Sequence, residues 1–380
     1  MMIKVVIIIN IKKIKQKIIL LLMAFFIISI ITIYAVSTSN NQTLSKQIIW
    51  YLIGFFMIFI MSKLNCKKIL DLSPILYVFI NALLMLLLFF GNEVNGSKCW
   101  FILPGIGSFQ PSEFAKLILI LINAKTLDIF RKKYPKRNLK NDLTIFFTII
   151  LITLIPSILT FLEPDTGMVI IYFLISLVML YIFGIRKSIF FTILILGILF
   201  IISFLYFYFN YEDQFINVFG TSFFYRIDRL LDWSNENGMQ LTNALTAIKA
   251  AGWFGFGIGN TPIYIPEAHT DFIFSIYSSN FGFIGSLLLL ILIFFFDFLL
   301  FKLAKETKNK SYKFIIIGFL AMILYQQIQN IGMNLGLLPI TGITLPFISY
   351  GGSSLVSYML GIGIIINYDN DNDNDNNSKK

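Results

Sequence analysis

The sequence predicts an all-α polytopic membrane protein of about ten transmembrane helices, with one large loop between the seventh and eighth. Three observations carry that prediction. Apolar residues make up 57% of the 380 residues and charged residues only 13%, where a soluble domain carries about 25% charge. Mean hydropathy is +0.81, and apolar runs recur at close to the ~20 residues that span a hydrocarbon layer. The basic residues, finally, sort by side once the runs are laid out as spans. This composition excludes a secreted enzyme, a cytosolic enzyme and a disordered chain. A β-barrel is excluded as well, because barrel strands alternate apolar and polar residues.

The ten segments fall at 17–37, 47–62, 74–91, 112–124, 143–161, 166–184, 188–208, 272–301, 314–335 and 351–367. The first has a basic flank like a secretory leader, but no small-residue cleavage site follows, so it reads as an uncleaved anchor. The fourth is short and the eighth long, which predicts tilt or a buried end. With the N-terminus inside, 24 of the 30 Lys and Arg residues fall in cytoplasmic segments and 5 in outer ones, with Lys116 inside span four. One span more or fewer would invert the later loops and destroy this bias, so both termini are expected in the cytoplasm. The net charge of +10 is then an orientation signal and a contact with membrane lipid, not a nucleic-acid surface. Residues 1–367 read as one membrane domain whose large outer loop covers 209–271. The Asp/Asn-rich tail, 368–380, has nothing to bury and is expected to be disordered. Cys66 and Cys99 fall on opposite sides, which precludes a disulfide between them.

Polar chemistry concentrates on the outer side. Beside the outer loop at 92–111, segments 161–167 and 335–354 are rich in Gly and Pro at membrane depth. Lipid cannot satisfy their backbone groups, so they are expected to line a cavity or pack as re-entrant turns. Glu113 and Lys116 share a helix face at the start of span four and read as an ion pair or as groups facing a wet cavity. Asp165, ahead of Gly167, reads first as the N-cap of span six. Glu267, His269, Thr270 and Asp271 crowd the junction where the large loop meets span eight. Capping is one reading of Asp271; the other is a partly desolvated carboxylate serving as a general base. His269 is the only histidine, and without a Cys/His set around it, it reads as an orienting hydrogen-bond partner rather than a zinc ligand. Arg226 and Arg229 are outer cations that suit a pyrophosphate or anionic headgroup, or pair with Asp228 and Asp232. Segment GFGIGN at 255–260 lacks the preceding strand of a dinucleotide site and reads as a turn-rich loop. Asp297, near the far end of span eight, is expected to snorkel toward Lys302.

Five motifs in order resemble the SEDS family of shape, elongation, division and sporulation proteins, the RodA/FtsW group. They are W-x-x-L-x-G-x-x-x-x-Q-P-S-E-x-x-K from Trp100 to Lys116, E-P-D-x-G at 163–167, and A-I-x-x-x-G-x-x-G-x-G-x-G-N at 247–260. PEAHTDFIF at 266–274 and GMNLGLLPITGITLPFISYGGSS at 332–354 complete the set. The resemblance implies ten spans and a peptidoglycan glycosyltransferase that polymerises lipid II at the outer leaflet of the cytoplasmic membrane, for elongation or division. It implies Asp271 as the catalytic base. Trp100, Glu113, Lys116, Glu267, His269, Arg226 and Arg229 are implied on the substrate side, Trp100 also reading as an interface-belt residue. A divalent cation, Mg or Mn, and a class B penicillin-binding protein as crosslinking partner are implied too. Two places depart from the family pattern: Cys99 stands where Arg is frequent, and Ser278, Ser279 and Asn280 stand where paired acids are usual. LLPITGITLPF leans to the elongation branch. The alternatives are a flippase for lipid-linked precursors and a weakly active scaffold for the transpeptidase. The one-sided polar chemistry favours the enzyme, since a flippase needs a charged path to both leaflets.

Overall fold

A computed structural model of the chain describes residues 2–36, 42–94, 97–103, 107–136, 138–221, 223–224, 227 and 239–367. The tail at 368–380 lies outside them. Helices α1 (Met2–Val36), α2 (Gln42–Lys63), α3 (Cys66–Phe90), α4 (Pro111–Lys133), α5 (Leu139–Leu162), α6 (Thr166–Phe183) and α7 (Lys187–Asn210) run back and forth through one bundle. Short α8 (Glu212–Phe219) and α9 (Met239–Ala250) occupy the large loop, and α10 (Ile273–Glu306), α11 (Lys310–Asn334) and α12 (Gly352–Ile366) complete it. Eight of these helices are long and apolar enough to cross a membrane; α4 and α12 make up the ten expected.

The two exceptions are instructive. Span four is not short: α4 has 23 residues. Its apolar run ends at Ala124, but the helix continues through Asp128, Arg131, Lys132 and Lys133, whose cations suit the negative end of the helix dipole. Helix α12 has only 15 residues, about 22 Å at 1.5 Å per residue, short of the ~30 Å hydrocarbon thickness. Segment 335–351 precedes it, and its Ile343, Leu345, Phe347 and Ile348 are buried.

Packing follows the apolar pattern. Helix α2 lies on α12, α3 on α4, α1 on α10, and α11 against α10, α6 and α4. One apolar core runs from Ile11 to Ile365. Helix α11 is central, with 72% of its apolar window buried inside the protein, whereas α7 is peripheral at 6%. Asn caps begin three helices: Asn65 for α3, Asn138 for α5 and Asn309 for α11 accept the first backbone N–H groups. Between α3 and α4 the chain forms three short antiparallel strands, β1 (Asn92–Val94), β2 (Ser97–Leu103) and β3 (Gly107–Phe109). The sequence predicts an outer loop here, since the Gly and Pro residues mask the alternation of the strands.

Helix α10 contains a break. Gly282 adopts φ 66°, ψ −163°, a conformation open to glycine and strained for other residues. The loop before α10 fills the gap in the backbone ladder. Phe256 and Gly257 donate to the carbonyls of Ser279 and Asn280 at 2.9 and 3.0 Å, while Phe283 and Ile284 donate to Gly252 and Trp253 at 3.0 and 3.1 Å. A Cβ on Gly255 or Gly282 would lie 2.4 Å from the facing backbone. The GFGIGN stretch is therefore a turn-rich loop, as read, and its glycines permit a close backbone approach.

Asp297 departs from the expectation. It points inward, 9% exposed, and accepts from Gln327 Nε2 of α11 at 3.2 Å. A bonded partner on the adjacent helix outcompetes snorkelling toward Lys302, because a carboxylate facing lipid costs more than one hydrogen-bonded inside the bundle.

Candidate active site

Asp271 lies in a turn over residues 266–272 that leads into α10. Glu267 takes φ 52°, which aims its carbonyl at three successive donors, the N–H groups of Thr270, Asp271 and Phe272, at 3.2, 3.1 and 3.2 Å. Its carboxylate accepts from the Thr270 hydroxyl at 3.1 Å. The Asp271 carbonyl accepts from Asn330 Nδ2 and Asn334 Nδ2, both at 2.9 Å. Asn334 Oδ1 in turn accepts from Ser275 N and Ser275 Oγ at 3.0 and 2.5 Å. Two asparagines one turn apart on α11 thus hold the junction by its backbone and leave the Asp271 carboxyl unused for capping. Burial, and next the Glu267 carboxylate, push Asp271 up to about 7.

The 335–351 segment closes over this turn. The Tyr350 N–H donates to His269 O at 2.8 Å, and Ser349 Oγ donates to Thr270 O at 2.6 Å. The His269 ring packs 5.6 Å from the Tyr350 ring. Helices α1 and α2 hold the segment from behind: Ser29 Oγ donates to Ile348 O at 2.8 Å, Gln47 Nε2 to Ser349 O at 3.2 Å, and the Tyr51 hydroxyl to Phe347 O. The backbone that lipid could not satisfy is satisfied by buried side chains, as a re-entrant turn requires.

A second polar group stands at the same end. Lys116 Nζ lies 2.6 Å from Glu113 Oε2, with side chains 0% and 4% exposed, so the pair is internal and not an interface bridge. Ser357 Oγ and the Tyr172 hydroxyl donate to Glu113 O and Ser112 O at 2.8 and 3.0 Å. Asp165 caps α6 by accepting from Met168 N at 3.3 Å, and accepts from Gln110 Nε2 at 3.1 Å. Burial pushes it up to about 6 against the pull of the Met168 N–H. Glu163 is fully buried and neither carboxyl oxygen has a hydrogen-bond partner among the described residues; burial, then Asp165, push it up to about 9, so it is protonated near neutrality. One stretch of loop touches both groups: a Cβ on Gly167 would lie 3.2 Å from Thr341 O, and one on Gly342 would lie 3.7 Å from Asp271 Oδ2.

The expected residues fare differently. Asp271, Glu267 and His269 share one turn, and Glu113 and Lys116 form the pair. Trp100 is half-buried on β2 opposite Asn92, while its neighbour Cys99 is buried with Sγ 3.0 Å from Glu163 O. A short side chain at 99 lets β2 sit directly on the α5–α6 turn. Arg226 and Arg229 lie outside the described residues. Ser279 and Asn280 are buried at the helix break, where Asn280 Oδ1 accepts from Gly259 N at 3.0 Å; a polar amide suits that seat. Sequence reasoning missed Glu163, Asn330, Asn334 and Gln47. The last three carried a signal, an amide on an otherwise apolar span. Among the described residues no three His, Cys, Asp or Glu side chains converge as metal ligands.

Fold and site together define a polytopic membrane protein with a buried Glu113–Lys116 pair and the buried acid Glu163 at the Asp271 end. The family model described as cell cycle protein, FTSW_RODA_SPOVE, matches residues 12–374, and the chain belongs to that family. It is 34% identical to the probable peptidoglycan glycosyltransferase FtsW of Wigglesworthia glossinidia brevipalpis, over 91% of each chain. It is 32% identical to stage V sporulation protein E of Bacillus subtilis, over 85% of each. Among solved structures it is similar to a chain of a peptidoglycan synthase complex studied for the coordination of polymerization and crosslinking, with TM-score 0.78, 27% identity, and coverage of 94% and 97%. It is also similar to rod shape determining protein RodA of Thermus thermophilus, with TM-score 0.68, 26% identity, and coverage of 93% and 96%. Division, sporulation and elongation names all occur among these relatives, so the LLPITGITLPF stretch does not sort the chain into one branch.

Proposed function

We propose that Asp271 is the general base with which this chain, a peptidoglycan glycosyltransferase, polymerises lipid II. The carrying observation is a carboxyl at the loop–membrane junction, raised to about 7 and held by its backbone so that its oxygens remain available. Asp271 takes the proton of the acceptor GlcNAc 4-hydroxyl. That oxygen attacks C1 of the donor MurNAc as the C1–O bond to the pyrophosphate breaks, with inversion at C1. Undecaprenyl pyrophosphate leaves with the electron pair. Lys116, Arg226 and Arg229 supply positive charge for it, Trp100 an apolar face for a sugar ring, and Glu267 and His269 the frame around the base. The Asp271 end faces away from the cytoplasm and both termini lie inside, as the Lys and Arg distribution supports. A class B penicillin-binding protein crosslinks the product in trans; the similarity to a synthase complex chain supports such an assembly.

The test is polymerisation of purified lipid II by the purified chain, with glycan strands resolved on gels. Native protein is expected to make strands, and Asp271→Asn to lose about 10²–10⁴ of the rate, the usual worth of a positioned base. Strand synthesis that survives the substitution contradicts the assignment. A flippase makes no strands in either form, and a scaffold stimulates the transpeptidase equally in both.

A further inference from the structure

A basic hollow at the opposite end of the bundle plays no part in this chemistry. It opens where the last turn of α4, the end of α6 and the α10–α11 turn meet, in two adjoining lobes of about 880 and 420 Å³. Arg131, Lys132, Lys308, Lys310 and Lys313 line it against one acid, Asp128. That acid is committed: Arg131 and Lys132 stand 2.5 and 2.6 Å from its two oxygens. Even so, Arg131 Nε is buried without an acceptor. Lys308, Lys310 and Lys313 have no ion-pair partner among the described residues. Ile182, Phe183 and Phe314 form an apolar strip along the same hollow.

Two ordinary explanations account for part of this. Basic residues in the last turn of α4 offset its dipole, but that does not require three lysines across the gap. An orientation signal requires cations at this end of the bundle, but not around one concavity beside an apolar strip. A basic pocket between helix ends, level with the headgroups, is the arrangement that takes an anionic lipid. We propose that this hollow binds the phosphate of an anionic phospholipid headgroup from the leaflet at that end, with an acyl chain along Ile182, Phe183 and Phe314. The proposal needs only a membrane-embedded chain and is independent of the glycosyltransferase reading.

The full chain, purified in neutral detergent, is titrated at low ionic strength with dioleoylphosphatidylglycerol and separately with dioleoylphosphatidylcholine, and retained lipid is counted by native mass spectrometry. Phosphatidylglycerol is expected to bind more tightly by about tenfold or more, and its affinity to fall about fivefold for each lysine removed in Lys308→Gln/Lys310→Gln/Lys313→Gln. The preference is expected to shrink at about 0.5 M salt. A control triple at exposed lysines of the same end, Lys67→Gln/Lys68→Gln/Lys140→Gln, leaves affinity unchanged. If the cleft triple does not fold, Lys310→Glu carries the test, since an acid in the first turn of α11 suits the helix while reversing a cleft charge. Equal retention of both lipids, an equal loss in the control triple, or an unaltered affinity in the cleft variants overturns the proposal. So does inorganic phosphate that binds when phosphatidylglycerol does not.

Discussion

At the Asp271 end, Glu113, Lys116 and Glu163 are all but sealed from solvent and Asp165 is tied down by Gln110 and Met168. At the opposite end, Lys67, Lys68, Lys132 and Lys140 stand exposed, and the ion pairs of Lys132 and Arg186 are only partly shielded. The Asp271 end buries a Glu–Lys pair and the acid Glu163, whereas the opposite end buries Asp142 and Asp297 but leaves most of its described lysines in water. Exposed pairs contribute ~0–1 kcal/mol and are screened. Buried ones are costly to break and poor stabilisers in themselves. Charge at the second end therefore suits orientation and surface contact, and charge at the first end suits the chemistry proposed for it.

Substitutions that attack the held end should hurt most. Gly282→Ala places a Cβ 2.4 Å from Gly255 N in a left-handed conformation. It should unseat the loop from the helix break, destabilising the protein by more than about 3 kcal/mol, read as loss of thermal stability together with activity. Asn334→Ala removes one of the two donors to Asp271 O and the acceptor for the Ser275 hydroxyl. Leaving that buried hydroxyl unpaired should cost about 1–3 kcal/mol and lower the polymerisation rate, because the base is then held by Asn330 alone. A comparable change at exposed Lys140 should leave both melting temperature and rate nearly untouched, within about 0.5 kcal/mol.

Glu163 sharpens the contrast through pH. Its folded pKa, about 9, lies above the ordinary 4.5. The native state therefore holds this proton more tightly than the unfolded chain does. The stability it confers is complete below about 4.5 and is lost as pH rises toward 9. Glu163→Gln should flatten that decline, so that its melting temperature exceeds the native value at high pH and approaches it in acid. Melting curves across pH in the two proteins check this, and parallel declines would contradict it.

Much of this arrangement was legible in the residues. Apolar runs and the sorting of Lys and Arg placed the ten helices, because lipid enforces both rules along the whole chain. The crowding of Glu267, His269, Thr270 and Asp271 marked the junction, and the spacing of Glu113 and Lys116 marked the pair. What stayed hidden depends on contacts distant in sequence. The break at Gly282 lies inside an apolar run and is completed by residues 252–257. Asp297 turns inward because Gln327, on the next helix, meets it. Glu163 reads as an ordinary loop acid until β2 and the α5–α6 turn close over it.

The central claim is that Asp271 acts as a base whose proton affinity is set by burial and by Glu267. It is tested most directly by kcat/KM for lipid II between about pH 5 and 9 in native protein and in Glu267→Gln. Native activity should fall on the acid side with an apparent pKa near 7, and removing the neighbouring negative charge should move that limb to lower pH. An acid limb that stays in place when Glu267 is neutralised would contradict the account.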